Sequence, residues 1–333
     1  MQQARRFSAS EKNRLREMLR DCDPSDTSIV VFGSLARGEY TAGSDLDWTL
    51  LVDGQADAQH YGAAQQIANL LLKKGFPEPG PTGVFGNIAF SHPIVHQIGG
   101  QEDTNRNITQ RILLLLESFA VGKQPAYERV LQLVLERYVE DDGGLRRPAS
   151  SRRIPLFLLN DIVRYWRTLT VDFVYKQRER TSGYALRNVK LRMSRKLTFA
   201  AGLLTCFSCQ LEAPDDVRNC MARSSPTSAP LVRYFREKFR LPPLDLLAQT
   251  LLRYEIPAET ARLLFDAYDE FLALVSDTDK RLHLKELRFE DIDLDLLFTE
   301  ARKIGRRFQQ GLTNLFYRDH EDFSKLIEYY GVF

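Results

Sequence analysis

Two aspartates one residue apart, Asp45 and Asp47, lead into an apolar run, and Gly33-Ser34 closes the apolar run before it. Both lie in VVFGSLARGEYTAGSDLDWTLLVDG, residues 30–54. Along a strand, residues i and i+2 share a face, so the two carboxylates project together while Leu46 and Trp48 project to the other side. Carboxylates so close repel each other and share a proton unless a cation lies between them. A hard, oxygen-seeking ion such as Mg²⁺ relieves that repulsion. A Gly-Ser turn ahead of a helix start presents backbone N–H groups to a phosphate. A phosphate cradle beside a divalent-cation site is suited to metal-assisted phosphoryl or nucleotidyl transfer.

The elements around these residues must hold them in place. β-branched and aromatic residues over 28–33 read as a first strand, and residues 45–52 read as a second. Residues 8–20 read as a helix, with Ser8 and Glu11 spaced as a capping box. Residues 63–75 have helical spacing and end on Gly75. Short apolar runs in GPTGVFGNIAFSHPIVHQIGG predict two strands, or one broken at Pro93. ITQRILLLLESFAV and AYERVLQLVLERYVE then read as helices. DDGGLRRPASSRRIP, residues 141–155, is the best domain boundary. Beyond it the pattern is helical, except for a loop over 211–230.

The chain of 333 residues is long for one core and points to two domains. No apolar stretch approaches the roughly 18 residues that cross a bilayer. The N-terminal residues lack an apolar signal core, so a cytoplasmic location and no membrane partner are expected. Cys22, Cys206, Cys209 and Cys220 do not make a disulfide framework in so long a chain. Cys206-x-x-Cys209 with Cys220 lacks a fourth zinc ligand nearby, and buried thiols are the better reading. The net charge of +2 conceals an asymmetry: residues 152–200 carry twelve Lys/Arg and three Asp/Glu. That block is a footprint for a triphosphate or a nucleic acid, or else a solvated helical face.

Gly-Ser, a ten-residue spacer and Asp-x-Asp together resemble the signature of nucleotidyltransferases of the DNA polymerase β superfamily. The resemblance is close over residues 28–54 and architectural beyond. It implies an α+β fold: a small mixed-sheet nucleotidyltransferase core over residues 1–143, and an appended helical domain over 152–333 that closes the nucleotide cleft. It further implies transfer of a nucleoside monophosphate from an NTP or dNTP to a hydroxyl, with two Mg²⁺ or Mn²⁺ ions and release of pyrophosphate. The two-lobed plan is similar to bacterial enzymes that make nucleotide signals or oligomers in antiphage defence. It is also similar to enzymes that modify a tRNA end, a protein or a small molecule. The partners implied are the nucleotide, a nucleic acid or oligonucleotide, and an effector or regulatory protein. The competing reading is a nucleotide-binding regulatory module with a degenerate site.

In the resembling family the metals take Asp45 and Asp47 plus a third carboxylate from a later strand. VFGNIAFSHPIVHQIG contains no acid, so Asp103 becomes the third metal-holding and catalytic candidate, with capping of the next helix as its alternative role. Relatives place a Lys and a hydroxyl from the helical domain on the triphosphate. On YALRNVKLRMSRKLTF, Arg187, Lys190 and Ser194 flank the apolar stripe and fit that role; Arg192 and Lys196 lie on the opposite flank. With Gly33, Ser34 and Arg37 they form the expected nucleotide-binding set. Tyr329 and Tyr330, near the chain end, are candidate acceptor hydroxyls if Val332 and Phe333 dock the tail.

Overall fold

A four-stranded sheet carries the signature residues. The computed structural model describes residues 1–77, 79, 84–145, 153–179, 183–222 and 227–331. The strands are β1 (Thr27–Phe32), β2 (Trp48–Val52), β3 (Asn87–Phe90) and β4 (Ser118–Ala120), in the order β3-β2-β1-β4. β1 runs antiparallel to β2 and β4, and β2 parallel to β3. TSIVVF is rich in β-branched residues, and every residue of β1 is buried, as a central strand covered on both faces requires.

Helices cover the two faces differently. Around the sheet lie α1 (Gln2–Met18), α2 (Ser34–Arg37), α3 (Ala58–Lys73), α4 (Ser91–His96), α5 (Asn105–Leu116) and α6 (Pro125–Glu140). Ile29, Val31, Trp48, Leu50 and Ile88 pack with Leu15, Leu19, Ile67 and Leu71 of α1, its C-terminal flank and α3. Val30, Phe32, Leu51, Ala89 and Ala120 face the other way, into a cluster that continues through α5 and α6 into the C-terminal helices. Those are α7 (Leu156–Glu179), α8 (Tyr184–Lys190), a π-helical turn (Leu191–Arg195) and α9 (Lys196–Leu211). They continue as α10 (Asp215–Ala222), α11 (Ala229–Phe239), α12 (Pro243–Arg253), α13 (Ala258–Ser276), α14 (Thr278–Glu286), α15 (Leu296–Tyr317) and α16 (Glu321–Tyr330). The α+β class, a small mixed sheet with an appended helical region, is as the sequence predicts. No helix among the described residues is long and apolar enough to cross a membrane.

Several local expectations need correction. The first helix begins at Gln2, so Ser8 lies in its interior and does not cap it. Its hydroxyl donates to the Ala4 carbonyl at 2.7 Å and accepts from the Tyr40 amide at 2.9 Å. SHPIVH is a helix rather than a second strand, with Pro93 in its first turn, where a missing N–H costs no helical bond. ITQRILLLLESFAV breaks at Leu116, and Ser118–Ala120 becomes β4 because it pairs with β1. Part of the expected 211–230 loop is α10. Cys206, Cys209 and Cys220 are buried, and burial holds the Cys209 thiol up at about 12.

Candidate active site

β1 ends at Phe32, and the chain reverses through Gly33 at φ 71° and ψ −140°. Only glycine adopts that positive φ without strain, which explains its place in the turn. The Gly33 amide donates to the Glu117 carbonyl at 3.2 Å, so it ties the turn to the start of β4 rather than to a phosphate. Ser34 follows at the first position of α2.

Asp45 and Asp47 stand in the segment that leads into β2. The Phe32 amide donates to the Asp47 carbonyl at 2.9 Å, extending the ladder one residue beyond the strand. The alternation follows: Leu46 and Trp48 are buried in the cluster under α1 and α3, while both aspartates line a cavity on the other side. A Cβ at Gly33 would lie 3.6 Å from Asp47 Oδ2, so the glycine turn and this carboxylate are in close contact.

The cavity has a volume of about 590 Å³. Gly33, Ser34, Arg37, Asp45, Asp47, Lys190 and Ser194 all line it, so most of the expected site converges from two distant stretches of chain. Lys190 Nζ lies 3.8 Å from Asp45 Oδ2. Burial raises the Asp47 carboxyl to about 6, the Asp45 charge adds to the effect, and Lys190 and Arg195 oppose it. Burial also lowers the Lys190 amine to about 8, helped by Arg281 and opposed by Asp45.

Five expected site residues behave differently. Arg37 is buried between Glu39 (2.8 Å) and Glu117 (2.5 Å), so both carboxylates claim its guanidinium. Tyr268 of α13 donates to Glu39 at 2.9 Å and Thr198 of α9 donates to Glu117 at 2.9 Å. Arg37 therefore acts as a strut that fixes the Gly-Ser turn to the helical region, with its guanidinium taken up by two carboxylates. Arg187 does not line the cavity; it folds onto Gly183, whose added Cβ would meet it at 2.7 Å. Asp103 is not brought to the aspartate pair. Its side chain is fully buried, bonded to Arg111 at 2.9 Å, Arg164 at 2.7 Å and the Gly99 amide at 2.9 Å. Arg111 reaches Asp161 as well, at 2.6 Å, so the cluster staples α5 to α7. Thr104, not Asp103, caps α5. Tyr329 is 80 % exposed and Tyr330 packs against the core, and neither lines the cavity. Val332 and Phe333 lie outside the described residues.

Sequence reasoning missed Glu117, Arg195 and Arg281, all of which line the cavity. The π-turn between α8 and α9 adds a residue to the helical register, so Arg195 joins Lys190 and Ser194 on the cavity side. Phe85 also lines it. β3 runs parallel to β2 with Thr49 beside Asn87, and continuing that register past the strand ends sets the apolar Phe85 level with Asp47.

Two carboxylates on one face, with the Asp45 charge disfavouring that of Asp47, form a donor set for a hard divalent ion. Mg²⁺ is commonly held by one or two carboxylates, with phosphate oxygens and water completing its shell. Asp45 and Asp47 fit that pattern. No group of three or more acidic, His or Cys side chains gathers as a metal site among the described residues.

Residues 12–77 match the family model of a nucleotidyltransferase domain, a stretch that takes in the C-terminal part of α1, β1, the glycine turn, both aspartates, β2 and α3. The match supports nucleotidyl transfer as the reaction class. Comparison with curated proteins gives no match.

Proposed function

We propose that the cavity transfers a nucleoside monophosphate from an NTP or dNTP to a hydroxyl, with a divalent metal. One observation carries this reading: the turn and aspartates of the matched segment share a single cavity with Lys190 and Ser194 from the helical region. Asp45 and Asp47 would hold the Mg²⁺ or Mn²⁺ ions that the transfer needs. When bound, the metal supplies charge stabilisation for the developing pentavalent phosphate. Ser34 from the glycine turn and Ser194 from the helical region donate to the triphosphate, and Lys190 and Arg195 neutralise it. The acceptor oxygen bonds to Pα as the bridging bond from Pα to Pβ breaks. The electron pair leaves on pyrophosphate, and the acceptor proton passes to water. The strut of Arg37, Glu39 and Glu117 keeps the turn aligned with the helical wall, which is a positioning contribution.

The product class under this reading is a nucleotide signal or oligomer, in the setting of bacterial antiphage defence, or a modified tRNA end, protein or small molecule. Phe85 beside Asp47 favours one second reading, a nucleotide-binding regulatory module whose acceptor side is degenerate. Incubation with each α-labelled NTP and dNTP in Mg²⁺ or Mn²⁺, followed by separation of soluble, protein-bound and nucleic-acid-bound label, decides between them. Label in a new product with equimolar pyrophosphate supports transfer. Tight nucleotide binding without turnover over any acceptor supports the module.

A further inference from the structure

Three arginines are buried among the described residues: Arg37, Arg111 and Arg281. The first two are each held by two carboxylates. Arg281, on α14, is 8 % exposed and lines the catalytic cavity, and among the described residues no hydrogen bond or ion pair satisfies its guanidinium. Burial disfavours its charge, and Asp45 and Tyr40 offset only part of that cost. A cation whose residue is otherwise buried and whose donors open only into a cavity is completed there by water or by an anionic ligand.

Its seat is built by the signature loop. A Cβ at Gly43 would lie 2.8 Å from Arg281 Cδ and 2.9 Å from Nε. Gly43 stands two residues before Asp45, so the loop that carries the first aspartate leaves room for a guanidinium from α14. Lys190 stands nearby, and the Arg281 charge disfavours its ammonium. Cations crowded at one end of a cavity call for a polyanion. A planar guanidinium matches two phosphate oxygens at once, which an ammonium cannot do.

We propose that Arg281 is the residue that reads the terminal phosphate of the triphosphate, and that it holds pyrophosphate as it leaves. The assignment rests on the transfer reading above and names what that site selects: a triphosphate over a mono- or diphosphate. It also places α14 in the active site, far outside the matched residues 12–77.

Calorimetric binding of magnesium tripolyphosphate and of a nucleoside monophosphate tests it, in wild type and in Arg281→Met, Arg281→Lys and Gly43→Ala. Arg281→Met should weaken tripolyphosphate about tenfold or more, the scale of one charge-assisted bidentate contact, and leave monophosphate binding within about twofold. Arg281→Lys should recover only part of the loss. Gly43→Ala keeps the guanidinium but displaces it, and should show the same selective loss; it carries the test if Arg281→Met does not fold. Unchanged tripolyphosphate affinity in the variants, an equal loss for both ligands, or no tripolyphosphate binding by wild type would overturn the proposal. Tripolyphosphate needs no turnover, so wild type that binds it but transfers nothing refutes the transferase reading and with it the pyrophosphate role, while a selective loss in the variants still assigns Arg281 to the terminal phosphate.

Discussion

Replacing Asp47 with Asn should stabilise the protein in EDTA while removing transfer. Burial and Asp45 raise the Asp47 carboxyl from 3.8 to about 6. Each pKa unit is about 1.4 kcal/mol of differential stability, so the ionised side chain costs the fold a ceiling of about 3 kcal/mol. Screening at the open cavity wall lowers the expected gain to about 1–2 kcal/mol. The sign follows from proton linkage. The folded pKa lies above the unfolded one, so the unfolded state binds fewer protons between them, and wild-type stability falls as pH rises from about 4 to about 6. Asn does not titrate, so the gap between variant and wild type should be near zero at pH 4, open through that window and stay constant above it. At pH 7.5 the melting temperature should rise by about 2–4 °C, using the usual scaling for larger domains. Adding Mg²⁺ should raise the melting temperature of wild type and not of the variant, because only wild type keeps both carboxylates. Differential scanning fluorimetry from pH 4 to 8, with and without Mg²⁺, reads all of this. A variant less stable than wild type, or a gap independent of pH, would refute the idea that Asp47 is held ionised at a cost to the fold for the sake of function.

Arg37→Ala should destabilise the fold by about 3–5 kcal/mol in urea denaturation, because it leaves Glu39 and Glu117 buried without their cation. Asp103→Asn should cost about 2–3 kcal/mol by the same measurement, through Arg111 and Arg164, with KM for the nucleotide unchanged in the folded fraction. Lys190→Met should raise the nucleotide KM about tenfold without lowering the melting temperature, since one phosphate contact is lost and a costly buried amine goes with it.

How far the site was legible depends on the distance over which each residue's role is decided. Gly33, Ser34, Asp45 and Asp47 are set by local geometry, and a strand-turn-strand reading finds them. Lys190 and Ser194 follow from helical spacing. Arg195 does not, because a π-turn shifts the register and leaves no mark in an apolar pattern. Glu117 was read as helical because a leucine-rich run continues into it; the three-residue strand after it exists only through pairing with β1. Asp103 reads as a metal ligand from sequence because Arg164, the partner that helps hold it, reaches it only when α5 packs on α7. Arg281 reaches the cavity only through the docking of α14, which no local pattern records. The capping box at Ser8 failed for a related reason: its spacing is equally compatible with a helix interior, and only the docking of Tyr40 shows what the hydroxyl does.

The central claim is that Asp45 and Asp47 hold a metal that carries a triphosphate reaching toward Lys190 and Ser194. A crystal structure with Mn²⁺ and a non-hydrolysable NTP analogue, with data collected at the manganese edge, tests it most directly. The account predicts an anomalous peak in contact with both carboxylates and phosphate density between Ser34 and the Lys190–Ser194 wall. A manganese peak away from the aspartates, or a triphosphate seated in the cavity with the glycine turn empty, would contradict it.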